Sequence, residues 1–374
     1  MQRRDFLSWC AGASTVASTG VLWPRLSFAD TPRDVAWLAD VQAPPAKIPA
    51  PDRPLAPLLI DDQQQPIKTP QQWEQARKKL RDAWMKFLGP MPKERAPVKL
   101  EVLKEDRPDG CVRQLVRYLA EADEPVEGYL LRPSTEIKGK RSGIVALHQT
   151  SRESIDEIAG LVGEEHQHLA LQLCRDGHVV FCPRCYLWKT SDHNIDVKTT
   201  VSQFKQRHPE TLGMHKMLFD AQRAVDVLVS LPDVDPLRIG AVGHSLGSKE
   251  SFYLAAFDER IRTAVASEGG IGFTQTNWKD PWYLGPGITV PDFNLNQHQV
   301  LALIAPRPFL ILAGESGAGA ADGDRSWAYV EPAMSAYRLY GEPARLGLLN
   351  HHQGHTIPLD ARAKLLEWLR VYTA

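Results

Sequence analysis

The sequence predicts an α/β fold, a mostly parallel central sheet with helices on both faces behind an N-terminal extension. Three observations carry this. Short, uniformly apolar runs at 143–147, 179–181, 239–242, 263–267 and 309–313 have the composition of strands buried on both faces. Helix-compatible runs at 217–231, 249–257 and 359–372 alternate with them, the signature of strand–helix–strand units. At one junction, Gly243-His244-Ser245-Leu246-Gly247, a serine stands between two glycines where a strand passes into a helix.

Taken in order, the 374 residues suffice for a substantial core and fit one enlarged α/β domain. A formal net charge of −1 excludes a nucleic-acid binder driven by bulk charge. No apolar run is long enough to span a bilayer. Residues 1–29 form an export leader: Arg3-Arg4-Asp5-Phe6-Leu7 resembles the bacterial twin-arginine signal, and Ser27-Phe28-Ala29 is a small-x-small cleavage site. The mature chain is therefore expected from about Asp30, in the periplasm or outside the cell, with no membrane attachment after cleavage. Residues 30–97 form an extension: a proline-rich arm to about residue 70, then an amphipathic helix at 71–88 stopped by Gly89-Pro90. The catalytic domain spans 98–374. It opens with three antiparallel strands at 98–103, 112–119 and 126–131. A strand at 143–147, a helix at 169–174 and a strand at 179–181 follow. Two connections, 186–212 and 269–296, are too long for plain turns and are expected to build a cleft at the carboxyl ends of the strands.

Four cysteines remain after the leader: Cys111, Cys174, Cys182 and Cys185. Cys182 and Cys185 have redox-motif spacing but follow a strand instead of opening a helix. A local disulfide or two inert thiols is expected there.

The chemistry centres on Ser245. A hydroxyl is a poor nucleophile until a base takes its proton. The small residues at 243 and 247 let the serine occupy a strained turn. His355, in Asn350-His-His-Gln-Gly-His355, is the candidate base, with Gly354 allowing the backbone to carry it over the sheet edge; His351 and His352 are alternatives. The orienting acid is placed first at Asp322, in the loop after the 309–313 strand, with Asp324 and Glu315 behind it. Glu268, after the 263–267 strand, also aims a carboxylate at the histidine. Two N–H donors must hold the oxyanion: Leu246, directly after the nucleophile, and Gln149 or Thr150 in Leu-His148-Gln-Thr. His148 braces that loop or touches substrate. Trp188, Trp278, Trp282 and Trp327 fall in segments expected near the cleft, where flat rings stack on sugar or pack the loops. No cofactor is required.

These features together resemble the α/β-hydrolase superfamily. Gly-His-Ser245-Leu-Gly, Leu-His148-Gln-Thr, Ala-Phe-Asp258-Glu-Arg and the final Gly354-His355 are similar to its dienelactone-hydrolase-like and acetyl-xylan-esterase-like group. The dienelactone hydrolases themselves use a cysteine nucleophile where this chain has Ser245. A second resemblance is to glucuronoyl esterases, whose sugar-contacting lysine and post-strand acid correspond to Lys249 and Glu268; their arginine after the serine is Leu246 here. The resemblance implies an exported serine esterase acting on plant polysaccharide esters. The alternatives are an oligopeptidase-like hydrolase and a non-catalytic carbohydrate-binding homologue. If His355 is the base, ester turnover fades as pH falls below about 6.5. A pH–rate profile that stays flat to pH 4 would contradict it.

Overall fold

The computed structural model describes residues 34–188 and 197–374, so the leader lies outside the described residues. Among the described residues, nine strands form one sheet: β1 (Glu101–Asp106), β2 (Cys111–Glu121), β3 (Glu124–Pro133), β4 (Arg141–Leu147), β5 (Val179–Pro183), β6 (Val234–His244), β7 (Ile261–Ser267), β8 (Phe309–Ala313) and β9 (Leu346–Asn350). Their spatial order is β1-β2-β3-β5-β4-β6-β7-β8-β9. β1, β2, β3 and β5 pair antiparallel, and every pair from β5 to β9 is parallel. This is the mixed sheet of the α/β-hydrolase fold. Strands β4, β5, β7 and β8 and the 239–243 stretch of β6 are almost wholly buried, which is why they read as unbroken apolar runs.

β1 begins three residues later than its apolar residues suggest. It is an exposed edge, and its register against β2 is marked by ion pairs, Glu101 with Arg117 and Asp106 with Arg113, not by burial. Core packing therefore gave no sequence signal there.

Five of the helices among the described residues match the sequence pattern: α1 (Pro70–Leu88), α3 (Leu169–Arg175), α5 (Gly213–Ser230), α6 (Leu246–Phe257) and α9 (Leu359–Tyr372). Four more were not named from the sequence: the single turn α2 (Ile155–Ile158), α4 (Val197–Arg207), α7 (Gln297–Ile304) and α8 (Trp327–Arg338). α7 carried a readable start, since Asn296 and Gln299 form a reciprocal capping box. α8 was hidden by Pro332 in its interior. Every residue of α6 is buried, because β6 and β7 lie beneath it and α5 and α7 flank it.

The extension packs closely. α1 sets Trp73, Trp84 and Leu88 into the core cluster on the α6 side of the sheet. Trp84 meets Tyr253 edge-on at 6.0 Å. Ahead of α1, Asp34 accepts from Arg345 Nε (2.7 Å) and Tyr372 Oη (3.0 Å), tying the chain start to β9 and α9. Arg53 donates to the carbonyls of Ile288 (2.8 Å) and Phe293 (3.3 Å), so the arm straps down the long 269–296 connection. Because Trp84 is fully buried, Trp84→Ala is expected to cost about 3–5 kcal/mol in urea unfolding. A loss under about 1 kcal/mol would mean that α1 merely rests on the surface.

Candidate active site

Ser245 caps the N-terminus of α6 at φ 58°, ψ −113°, a backbone conformation that L residues avoid. The turn is held open on both sides. Ser245 N–H donates to the Ser267 carbonyl at the end of β7 (2.8 Å), and its own carbonyl accepts from Lys249 N–H (3.3 Å). A Cβ on Gly243 would collide with the Gly247 carbonyl, and one on Gly247 with the Leu147 carbonyl at the end of β4. Both glycines are thus demanded by close backbone approach, which pushes the serine out of the sheet.

The loop after β4 is rigidly braced. His148 Nε2 lies 3.0 Å from the Cys185 amide nitrogen, and a backbone N–H can only donate. The ring proton therefore sits on Nδ1, which donates to the Gln149 carbonyl (2.8 Å). Burial, with Arg184 adding to it, pushes the His148 pKa down to about 4, so the imidazole stays neutral. Gln149 Nε2 donates to Glu157 Oε2 (2.7 Å), and Gln167 Nε2 donates to Glu157 Oε1 (2.7 Å). Glu157 thereby fixes the Gln149 side chain and leaves neither of its own oxygens unpaired.

His355 arrives on the loop after β9, its ring 4.6 Å from that of His244, the residue before the serine. His355 Nδ1 stands 3.6 Å from Glu268 Oε2. His351 approaches the other oxygen at 4.0 Å, but its side chain is buried, whereas that of His355 is 30% exposed and lines a cavity. The glycines this loop needs are Gly314 and Gly319, not Gly354. A Cβ on Gly314 would press on the Gln353 and Gly354 carbonyls at 2.5 and 2.7 Å, and one on Gly319 on His355 Cβ at 3.1 Å; at Gly354 the neighbours begin at 3.4 Å.

Glu268 follows β7 at φ 56° and is fully buried. Burial raises its pKa, opposed by His355 and by two amides that donate to it, Gly314 and Ala321 (2.7 Å to the latter). His244, whose Nδ1 is 3.0 Å from Ser267 Oγ, is driven down to about 3, by burial first and then by the neighbouring His355 and His351. A cavity of about 120 Å³ opens between the two loops, lined by Gln149, Glu157, His166, His244, His355 and Ile357 among others.

The acid placed first from the sequence is elsewhere. Asp322 turns both carboxylate oxygens to the backbone after Glu268, accepting from Gly270 N–H (2.9 Å) and Ile271 N–H (2.8 Å), and takes the Ser326 hydroxyl (2.7 Å) as well. It braces the turn that follows Glu268. Glu315 and Asp324 both accept from Asn350 Nδ2, at 2.8 and 3.0 Å, and anchor the end of β9. Spacing cannot distinguish these acids, because all follow strands that end on one rim of the sheet.

The other expected site residues divide. Lys249 lies one turn along α6 from Ser245, 4% exposed, with Nζ 5.3 Å from the Trp278 ring centre and 4.9 Å from that of Tyr283. Burial lowers its pKa to about 8, against the pull of Asp322 and Asp280. Trp278 and Trp327 are core residues that show no open face, and Trp278 Nε1 donates to the Gly270 carbonyl (2.6 Å). Trp282 is half-buried against Tyr283. Trp188 is buried edge-on to His148, ring centres 4.9 Å apart. Leu246 opens α6, where helical amides have no intrahelical acceptor. Cys182 and Cys185 are free thiols in the core clusters on opposite faces of the sheet, which excludes the local disulfide.

Comparison with known proteins bears on the family and the fold. The model of the dienelactone hydrolase family matches residues 127–314, a span containing Ser245 and Glu268. A Bacillus subtilis (strain 168) protein named "Putative hydrolase YtaP" is 26% identical over 249 residues, covering 64% of this chain and 80% of that protein. Among solved structures, a glucuronoyl esterase from Solibacter usitatus superimposes with a TM-score of 0.68 at 17% identity, covering 87% of this chain and 99% of that one. A CE15 glucuronoyl esterase from Teredinibacter turnerae T7901 gives 0.65 at 20% identity, covering 86% and 89%. At such identities the likeness establishes the fold.

The two depressed histidines carry a stability consequence. Both bind protons less readily folded than unfolded, so their contribution is complete above about pH 6.5 and is lost as pH falls toward 4. Urea midpoints are expected to decline through that window, with a shallower slope in His148→Gln. An unchanged slope in the variant would mean that His148 is not held neutral.

Proposed function

The chain belongs to the dienelactone hydrolase family, and from that premise we propose that it is an exported serine esterase acting on plant polysaccharide esters, of the acetyl-xylan or glucuronoyl type. The observation that carries the reading is one constellation: Ser245 on a positive-φ elbow, His355 packed on its neighbour, and Glu268 3.6 Å behind the imidazole. In this scheme His355 Nε2 takes the Ser245 proton as the hydroxyl attacks the ester carbonyl. Glu268, accepting from Nδ1–H, orients the ring and stabilises the imidazolium that forms. The amides of Leu246 and Gln149 hold the oxyanion. The imidazolium protonates the departing alcohol, and water then cleaves the acyl-enzyme by the same steps in reverse.

The braced loop supports the oxyanion role. His148 fixes the Gln149 carbonyl and Glu157 its side chain, so the Gln149 amide needs no rearrangement when charge develops. Lys249 and Trp282 contact the sugar portion in this scheme, Lys249 as a cation held ready by its aromatic cage. Arg3-Arg4 and the Ser27-Phe28-Ala29 site support export by the twin-arginine route to the periplasm or beyond.

The test is a purified-enzyme screen of acetylated xylan, glucuronate esters and p-nitrophenyl esters against peptide anilides, with fluorophosphonate labelling of Ser245. Ester turnover and labelling are expected, and anilide cleavage is not. Glu268→Gln should lower kcat on the order of 10⁴-fold, whereas Asp322→Asn, which only loosens a turn, should lower it less than about 100-fold. Equal losses, or the reverse order, would remove Glu268 from its role.

A further inference from the structure

His166 stands on a single turn, residues 165–167, whose backbone and neighbours are braced while its own ring is left free for other use. Gln167 Nε2 donates to Glu157 Oε1 (2.7 Å), and Gln167 Oε1 accepts from the Glu164 N–H (2.7 Å). Gln172 Nε2 donates to the Glu165 carbonyl (2.6 Å), and His168 Nε2 lies 2.9 Å from the Val162 carbonyl. The His166 ring takes no part in these bonds. His166 is exposed, lines the active-site cavity, and lies near enough to His244 to help depress that ring's pKa, after burial, His355 and His351. Glu157 also holds Gln149, so one carboxylate ties the His166 turn to the loop after β4.

The cavity has two kinds of wall. Buried Ile158, Leu169 and Ile357 give it an apolar floor, and the more exposed Gln149, Thr356 and His166 a polar rim. At about 120 Å³ it is smaller than the roughly 150 Å³ that encloses a benzene, so it takes no more than one ring. A pyranose answers to both surfaces, with C–H groups on its faces and hydroxyls around its edge. An aromatic ring would meet the floor but not the rim, and a site built to bond a hydroxyl rejects the analogue that lacks it.

The direction of the chemistry says which part of the ester lies there. His355 Nδ1 is buried against Glu268, so the exposed edge of the ring that lines the cavity is the one carrying Nε2. In the scheme above, Nε2 passes its proton to the alcohol oxygen as the ester C–O bond breaks. The substituent on that oxygen therefore extends from the His355 edge, into the space that His355 walls.

We propose that His166 is a specificity-determining residue: it hydrogen-bonds a hydroxyl of a sugar ring that occupies this cavity as the departing alcohol. This role rests on the serine-esterase reading and narrows it, because a sugar alcohol makes the substrate an ester of the acetyl-xylan type and disfavours esters whose alcohol is aromatic.

The experiment gives the mature enzyme three acetates that differ only in the alcohol, mono-acetylated methyl xyloside, cyclohexyl acetate and benzyl acetate, with benzyl glucuronate as a fourth ester. Wild type is expected to favour the xyloside over each of the others by about ten-fold or more in kcat/KM. His166→Phe, which keeps a ring but bonds no hydroxyl, should cut that preference about ten-fold, chiefly through KM. His166→Gln, which retains a donor and an acceptor, should restore most of it. Thermal melts check that both variants are folded. Equal turnover of the xyloside and cyclohexyl acetate by wild type, an undiminished preference in His166→Phe, or faster cleavage of benzyl glucuronate would each overturn the proposal. Fluorophosphonate labelling of Ser245 without preference for the xyloside strikes this role alone, whereas absence of both labelling and turnover strikes the esterase reading and the role with it.

Discussion

One backbone torsion organises the molecule. Ser245 cannot reach φ 58° unless the chains around it approach more closely than side chains allow, and Gly243 and Gly247 exist to permit that approach. Such a conformation costs on the order of 1–3 kcal/mol and persists only where its surroundings over-determine it. Here they do. β6 lies between β4 and β7 in mid-sheet, α6 is buried along its whole length, and the Ser267 carbonyl clasps the serine amide. The strain is therefore carried by the best-packed part of the chain, and the side chain it displays needs no further ordering.

Around that point, burial sorts otherwise similar groups into different states. His148 and His244 lose charge to burial, with no carboxylate to offset it; His148 spends both ring nitrogens on fixed partners, and His244 sets Nδ1 against Ser267 Oγ. His355 differs on both counts: it is partly exposed and has a carboxylate behind it. Glu268 shows the opposing pulls on a single acid, since burial favours its proton while two amides and an imidazole favour its charge. The three-histidine run 350–355 thus contains one ring facing the cavity with Glu268 behind it, one buried beside the same acid, and one, His352, on the surface.

What the sequence made legible follows from how local each signal is. The elbow is a five-residue pattern whose geometry is self-contained, so Ser245 could be placed from those residues alone. The buried strands were equally plain, because two covered faces leave no polar positions. The acid that stands behind His355 was not. Glu268 was visible as a candidate, but Asp322 ranked above it, since the choice turns on which carboxylate the Gly314–Gly319 loop folds over, and that is set by contacts between distant strands. The tryptophans misled for a related reason: falling in long connections says nothing of exposure, and the arm residues Asp52 and Arg53 pin the 269–296 connection tightly enough to bury Trp278.

The loop after β4 shows why a histidine, and a neutral one, stands beside the proposed oxyanion position. Two backbone groups from different segments must be held at once: a donor, the Cys185 amide, and an acceptor, the Gln149 carbonyl. A hydroxyl is too short to bridge them, a lysine has no acceptor, and a protonated imidazole would set its own N–H against that of Cys185. A neutral imidazole supplies one donor and one acceptor on opposite sides of a rigid ring. Its low pKa is therefore a structural requirement. Trp188 packs edge-on against the same ring, centres 4.9 Å apart, so the position of Gln149 depends on the segment after β5 as well as on its own loop.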